Sequence, residues 1–204
     1  MRLHSMTLTA CLALAAAFPA LAAAPGAAPG AAAPDFTIAD TAGKAVKLAD
    51  YRGKFVVLEW TNPECPFVRK HYNSSNMQGL QKEWGAKDVV WLTINSTNSG
   101  HSEFKSADEM ASWVRAQGAA PRATLIDGTS ATARAYGAKT TPHMFVVDPT
   151  GKLLYNGAID DKRTSNPADA KVANNYVRAA LIEATAGKPV TVASTTPYGC
   201  SLKY

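Results

Sequence analysis

Cysteine is scarce in this sequence. Three occur in 204 residues, at positions 11, 65 and 200, and none has another cysteine three places away. A dense disulfide scaffold is therefore excluded. So is a local Cys-x-x-Cys pair, because the place it would need after Cys65 is held by Val68. Charge is also thin, at 18% of residues, and the basic excess of +5 is scattered rather than gathered into a run. That removes the electrostatic footprint of a nucleic-acid or membrane-surface binder. The longest apolar run, Met6 to Phe18, falls short of the roughly 20 residues that span a bilayer. No internal repeat is present. What remains is 47% hydrophobic, enough for one packed globular domain.

The N-terminus reads as an export signal. Arg2 and His4 supply a basic start, the apolar run follows, and Ala20-Leu21-Ala22 offers small residues where a signal peptidase cuts. Residues 1–22 are thus expected to be a removable leader and the mature protein to be secreted or periplasmic, with no stable membrane insertion after cleavage. Leu8-Thr9-Ala10-Cys11 resembles a lipoprotein box. The apolar run continues past Cys11, however, and a cysteine inside a discarded leader is the preferred reading. Residues 23–33, nearly all Ala, Gly and Pro, read as a flexible linker. Residues 34–188 form the domain, and residues 189–204 a tail without periodicity that carries Cys200. Removal of the leader leaves two cysteines, Cys65 and Cys200, far apart in sequence and better suited to chemistry than to scaffolding.

Strand and helix signals alternate through the domain. Phe36–Ile38 and Ala45–Leu48 read as short strands around a turn, and Phe55–Leu58 as a strand buried on both faces. A helix is expected from about Pro66 to Trp84, broken near Asn73–Asn76 and Gly79 by weak helix formers. Val89–Ile94 is the next strand. A helix over Ala107–Gln117 follows, with Ser106 and Glu109 placed for a capping box. Ala123–Ile126, a short helix ended by Gly137, and a hairpin of Met144–Val147 with Leu153–Tyr155 come next. Asn166 and Pro167 start a long last helix to about Ala186, in which Val172, Tyr176, Ala180 and Ala184 recur every four residues. This order predicts an α/β fold with a mixed central sheet and helices on both faces.

The chemistry concentrates at Trp60-Thr61-Asn62-Pro63-Glu64-Cys65-Pro66, where a strand ends and a helix begins at the cysteine. Unpaired amides and the helix dipole favour a thiolate there, which lowers a cysteine below its free value of about 8.5. Pro66 suits the first helical position, and Arg69, one turn on, adds positive charge. His71 reads as a surface or capping residue, and Asp160-Asp161 as a solvated turn. His143 is open between facing Cys65 and facing away.

These residues carry a family resemblance. Leu48-Ala49-Asp50-Tyr51-Arg52-Gly53-Lys54, Cys65 at the helix start, Tyr136-Gly137, Thr141-Pro142 and Asp148-Pro149-Thr150-Gly151 resemble the thioredoxin-fold redoxin superfamily. The likeness is to its alkyl hydroperoxide reductase and thiol-specific antioxidant, or peroxiredoxin-like, branch. The resemblance implies a thioredoxin-like fold and a cis-proline at Pro142 facing Cys65. It also implies an antioxidant or disulfide-exchange activity with Cys65 as the reactive thiol. Typical peroxiredoxins place a threonine three residues before the cysteine and an arginine near the facing strand. Here Asn62 and Pro142 stand in those places, and Thr61, Arg69 or the amides around Cys65 are left as substitutes.

On this reading a thiol-dependent oxidoreductase uses Cys65, with Thr61, Arg69, Thr141 and Pro142 around it and Cys200 as the resolving thiol. The substrate is a peroxide or a disulfide, an external thiol is the reductant, and no cofactor or metal is needed. Two other classes stay open at this level. One is a copper-binding redoxin using His143, Met144, Met77 and Cys200, and the other a non-catalytic partner-binding redoxin.

Overall fold

The computed structural model describes residues 27–204. The expected leader and cleavage site, and Cys11, lie outside the described residues. The sheet is built around β3 (Val56–Trp60), whose five residues are all buried. Beside it lie β4 (Val90–Asn95), parallel, and β7 (His143–Val147), antiparallel. With β5 (Ala123–Ile126) outside β4 and β8 (Leu153–Gly157) outside β7, the order is β5-β4-β3-β7-β8. The two parallel pairings join strands separated by helices, and the antiparallel β7–β8 pair is the expected hairpin.

Two apolar layers sandwich the sheet, because β3 and β7 alternate their side chains between faces. One layer gathers Val57, Met144 and Val146 with three helices: α1 (Pro66–Asn73), α2 (Asn76–Gly85) and α5 (Tyr176–Thr185). Cys65 belongs to this layer. The other gathers Leu58's neighbours Trp60 and Phe145 with α4 (Ala131–Tyr136) and the hairpin of β1 (Thr37–Ala39) and β2 (Ala45–Lys47). Trp60, Trp84 and Trp91 are almost wholly buried, each contributing about 1.5–3 kcal/mol or more of apolar burial. Helix α3 (Ala107–Ala116) carries the expected capping box, Ser106 and Glu109 each bonding the other's backbone N–H. No helix among the described residues is long and apolar enough to cross a membrane.

Three expectations need correction, and the tail is more ordered than its lack of periodicity suggests. The helix after Cys65 does break, at Ser74 and the left-handed Ser75, but Gly79 lies inside α2 and interrupts nothing. The last helix is not continuous from Asn166. Asn166 caps only a 3-10 segment, Pro167–Lys171, and α5 starts afresh behind its own cap, Asn175. Asn174 is held by the Asp161 carboxylate at 3.0 and 2.8 Å, which stops the helix passing through. The buried stripe is therefore Val177, Ala180 and Leu181, while Val172 is 73% exposed. The linker is packed from Ala27 onward: Ala27 and Ala33 are buried, and Gly30 N–H donates to the Leu153 carbonyl. Finally, the tail is docked. Cys200–Ser201 forms β9, paired antiparallel with β6 (Thr140–Thr141).

Candidate active site

The chain leaves β3 into a tight turn fixed by Asn62. Its side-chain oxygen accepts from Glu64 N–H at 2.8 Å, its carbonyl accepts from Cys65 N–H at 3.0 Å, and its amide donates to Glu103 at 2.9 Å. Cys65 then occupies the cap position of α1, with Pro66 first in the helix. Its side chain does not cap. It is 2% exposed, and its Sγ donates to the Thr141 carbonyl at 3.0 Å. The Thr141–Pro142 bond is cis, as expected. Three of the anticipated residues, Cys65, Thr141 and Pro142, are thus brought together by α1 and the lead-in to β7.

Cys200 joins them from the tail, its backbone paired with Thr141. The approach depends on Gly199, whose φ is +138° and whose missing Cβ would lie 2.0 Å from the Thr141 carbonyl oxygen. Leu202 N–H donates to Lys139 O at 3.1 Å, and Asn98 N–H to Lys203 O at 2.8 Å, so the strand is held on both sides. Both cysteines are free thiols. Burial, then the adjacent Cys65 thiol, push Cys200 up to about 12.

A family model described as "AhpC/TSA family" matches residues 29–156, which spans the sheet, Cys65 and the cis-proline. The chain belongs to the AhpC/TSA family. It is 26% identical over 129 residues to the thiol-disulfide oxidoreductase ResA of Bacillus subtilis (strain 168), covering 60% of this chain and 63% of that protein. The chain thus spans a little under two thirds of this curated relative. Among solved structures, an uncharacterized conserved protein from Geobacillus kaustophilus superposes with a TM-score of 0.76 at 29% identity, covering 86% of this chain and 92% of the other. A hypothetical protein from Sinorhizobium meliloti 1021 gives 0.75 at 24%, covering 88% and 96%, and speaks to the fold alone. The mixed five-stranded sheet and these neighbours establish the thioredoxin-like fold.

Within this AhpC/TSA domain the remaining anticipated residues sit as follows. Thr61 is buried; its N–H donates to Ile94 O and its hydroxyl has no protein partner, as is also true of Thr141 Oγ1. Arg69 is half exposed and already engaged, donating to the Pro63 carbonyl at 2.9 Å and to Glu64 at 2.7 Å. Its charge therefore braces the turn that presents Cys65. Lys105 and Arg69 in turn hold Glu64 below the usual carboxylate range, Lys105 more strongly. His143 shares its layer with Trp60 and Phe145, on the face away from Cys65, and accepts from Lys139 N–H at 3.2 Å. Met144 points the other way, so His143 and Met144 do not converge as a copper set would require. Among the described residues no cluster of three or more His, Cys, Asp or Glu could hold a metal ion.

Two expectations fail here. His71 is not at the surface: it is fully buried, and burial depresses it to about 3. Asp160 is not in a solvated turn but buried beside an equally buried Lys70. The pattern on α1 held the signal, since Pro66, Arg69 and Asn73 mark the outward stripe and leave Lys70 and His71 inside. Glu59 was also missed. It lies mid-strand, fully buried, and accepts from Trp91 and Tyr72 at 2.8 Å, Thr93 at 3.1 Å and Gln81 at 3.3 Å. Burial nonetheless raises its pKa.

Proposed function

We propose that the protein is an exported thiol–disulfide oxidoreductase in which Cys65 attacks and Cys200 resolves. The observation that carries this reading is the pairing of Cys200 with Thr141, the residue whose carbonyl holds the Cys65 thiol. The thiol-disulfide oxidoreductase name of the 26%-identical relative supports the reaction class. Export rests on the basic, apolar and small-residue order of residues 1–22, and intact mass of secreted protein should give a chain starting after Ala22 or Ala24.

The Cys65 thiolate attacks one sulfur of a substrate disulfide, forming a mixed disulfide and releasing the other sulfur as a thiolate. Cys200 gives up its proton and attacks Cys65 Sγ, expelling the second substrate sulfur. A Cys65–Cys200 disulfide results, and two electrons have passed to the substrate. Two equivalents of an external thiol, or one dithiol, then reduce the pair and are themselves oxidised to a disulfide. Arg69 and Asn62 hold the turn, while Thr141 and cis-Pro142 fix the Cys65 sulfur.

A second reading has a specific support, the unpartnered Thr61 and Thr141 hydroxyls. They are free to donate to a hydroperoxide. Attack on its outer oxygen would release an alcohol or water and leave a Cys65 sulfenic acid. Cys200 would condense with that acid, losing water.

The test is turnover with a small aromatic disulfide and with hydrogen peroxide, using a dithiol reductant. Cys65→Ser should fall to the uncatalysed rate. With the aromatic disulfide and no added reductant, Cys200→Ser should release one substrate thiolate and stop, with Cys65 held as a mixed disulfide, whereas the wild type releases two. Wild-type turnover by Cys65→Ser would refute the proposal.

A further inference from the structure

One phenol hydroxyl joins the helix that begins at Cys65 to the tail that ends near Cys200. Tyr198, two residues before Cys200, turns its ring into the Cys65-side layer and sets it edge-on to Phe67, with centroids 5.8 Å apart. Its Oη accepts from Lys70 Nζ at 3.1 Å and donates to the Asp160 carboxylate. It also lies 3.3 Å from His71 Nε2. Asn76 donates to the other ring nitrogen at 2.9 Å, so the neutral imidazole carries its proton on Nε2 and gives it to Tyr198. The hydroxyl's proton and both lone pairs are used.

The groups it meets are costly ones to bury. Lys70 is 0% exposed, with Asp160 at 3.3 Å and the Lys162 carbonyl as its other partners. A buried ion pair is tolerable only when its remaining donors and acceptors are met. Here Tyr198 supplies one acceptor to the ammonium and one donor to the carboxylate. Undocking the tail would take one hydrogen-bond partner from each member of this buried pair, so the cluster holds the tail down. Lys70 and His71 follow Cys65 by five and six residues on the same helix. The latch therefore spans from the cysteine's own helix to the strand that bears its partner.

We infer that Tyr198 is a positioning residue, which docks through Lys70, Asp160 and His71 and so fixes Cys200 against Cys65 and sets how readily the two thiols join. This rests on the oxidoreductase reading above.

The experiment measures the equilibrium of the Cys65–Cys200 disulfide against reduced and oxidised glutathione, by non-reducing mass spectrometry of the full mature chain. Tyr198→Phe should weaken that disulfide by about tenfold or more, the worth of a hydrogen bond to buried charge. The rate at which Cys65 forms a mixed disulfide should stay unchanged in a Cys200→Ser background, a split that general destabilisation would not produce. Should Tyr198→Phe fail to fold, Lys70→Met/Asp160→Asn/Tyr198→Phe keeps the shape without stranding a charge and should show the same loss. An unchanged disulfide equilibrium in the variant that folds overturns the inference while leaving the oxidoreductase reading in place. A wild type that forms no Cys65–Cys200 disulfide overturns both, and that result is visible before any latch variant is made.

Discussion

A thiol shielded from water and set against a second thiol keeps its proton, and Cys200 does so up to about 12. Burial is the larger cause and the Cys65 sulfur the next, so the two can be separated. In native protein, iodoacetamide labelling of Cys200 should be slow at pH 8 and still climbing above pH 10. Cys65→Ala should move the Cys200 profile to lower pH, because the neighbouring charge is gone while burial stays. An identical profile in the two proteins would mean that the thiols do not feel each other. At this scale the sequence was only partly informative. A cysteine before Pro66 announced a helix start, but charged residues read as surface by default; the outward stripe of α1 marked Lys70, whereas nothing local marked Glu59 and Asp160 as buried. Their partners, Trp91, Tyr198 and Thr93 among them, are brought in from distant stretches of chain.

At the scale of elements, the two-residue ribbon of β6 and β9 is the smallest piece of sheet and the one that builds the site. It exists because Gly199 lets two backbones approach where any side chain would strike the Thr141 carbonyl. Gly199→Ala should lift β9, costing about 1–3 kcal/mol from strain and clash. Amide exchange at Leu202, whose N–H is bonded to Lys139 O, should then rise strongly. Unaltered protection at Leu202 would contradict this account of the tail. The ribbon was invisible in the sequence because a strand this short has no periodicity. Longer elements were legible: the apolar run of β3, the Ser106 and Glu109 capping box, and the Ser74–Ser75 break all follow local rules. The last helix misled because its four-residue spacing ignored Asn174, which a distant Asp161 holds as a stop, and Asn175, which caps α5 afresh by accepting from Arg178 N–H.

For the whole molecule, two histidines buried on opposite sides of the sheet tie stability to pH. His71 and His143 are each depressed to about 3 by burial, with Lys70 and Lys139 respectively adding to it. The unfolded chain takes up those protons below about 6.5, so stability is full above that pH and is lost as pH falls toward 3. The slope approaches about 1.4 kcal/mol per pH unit for each histidine. Glu59, raised by burial, acts in the opposite sense above its ordinary value, so a difference between variants isolates the effect. His143→Gln should flatten urea-derived stability between pH 6 and pH 4 by about that slope, and an equal slope in both proteins would place the acid sensitivity elsewhere. The central claim is that two cysteines 135 positions apart in sequence, Cys65 and Cys200, act as one redox pair across the Thr141 backbone. It is tested most directly by oxidising the reduced protein with a small excess of hydrogen peroxide, at least two equivalents, and mapping its peptides without reductant. The account predicts a single intramolecular Cys65–Cys200 disulfide in monomeric protein; Cys65 as sulfinic acid with Cys200 still a free thiol would contradict it.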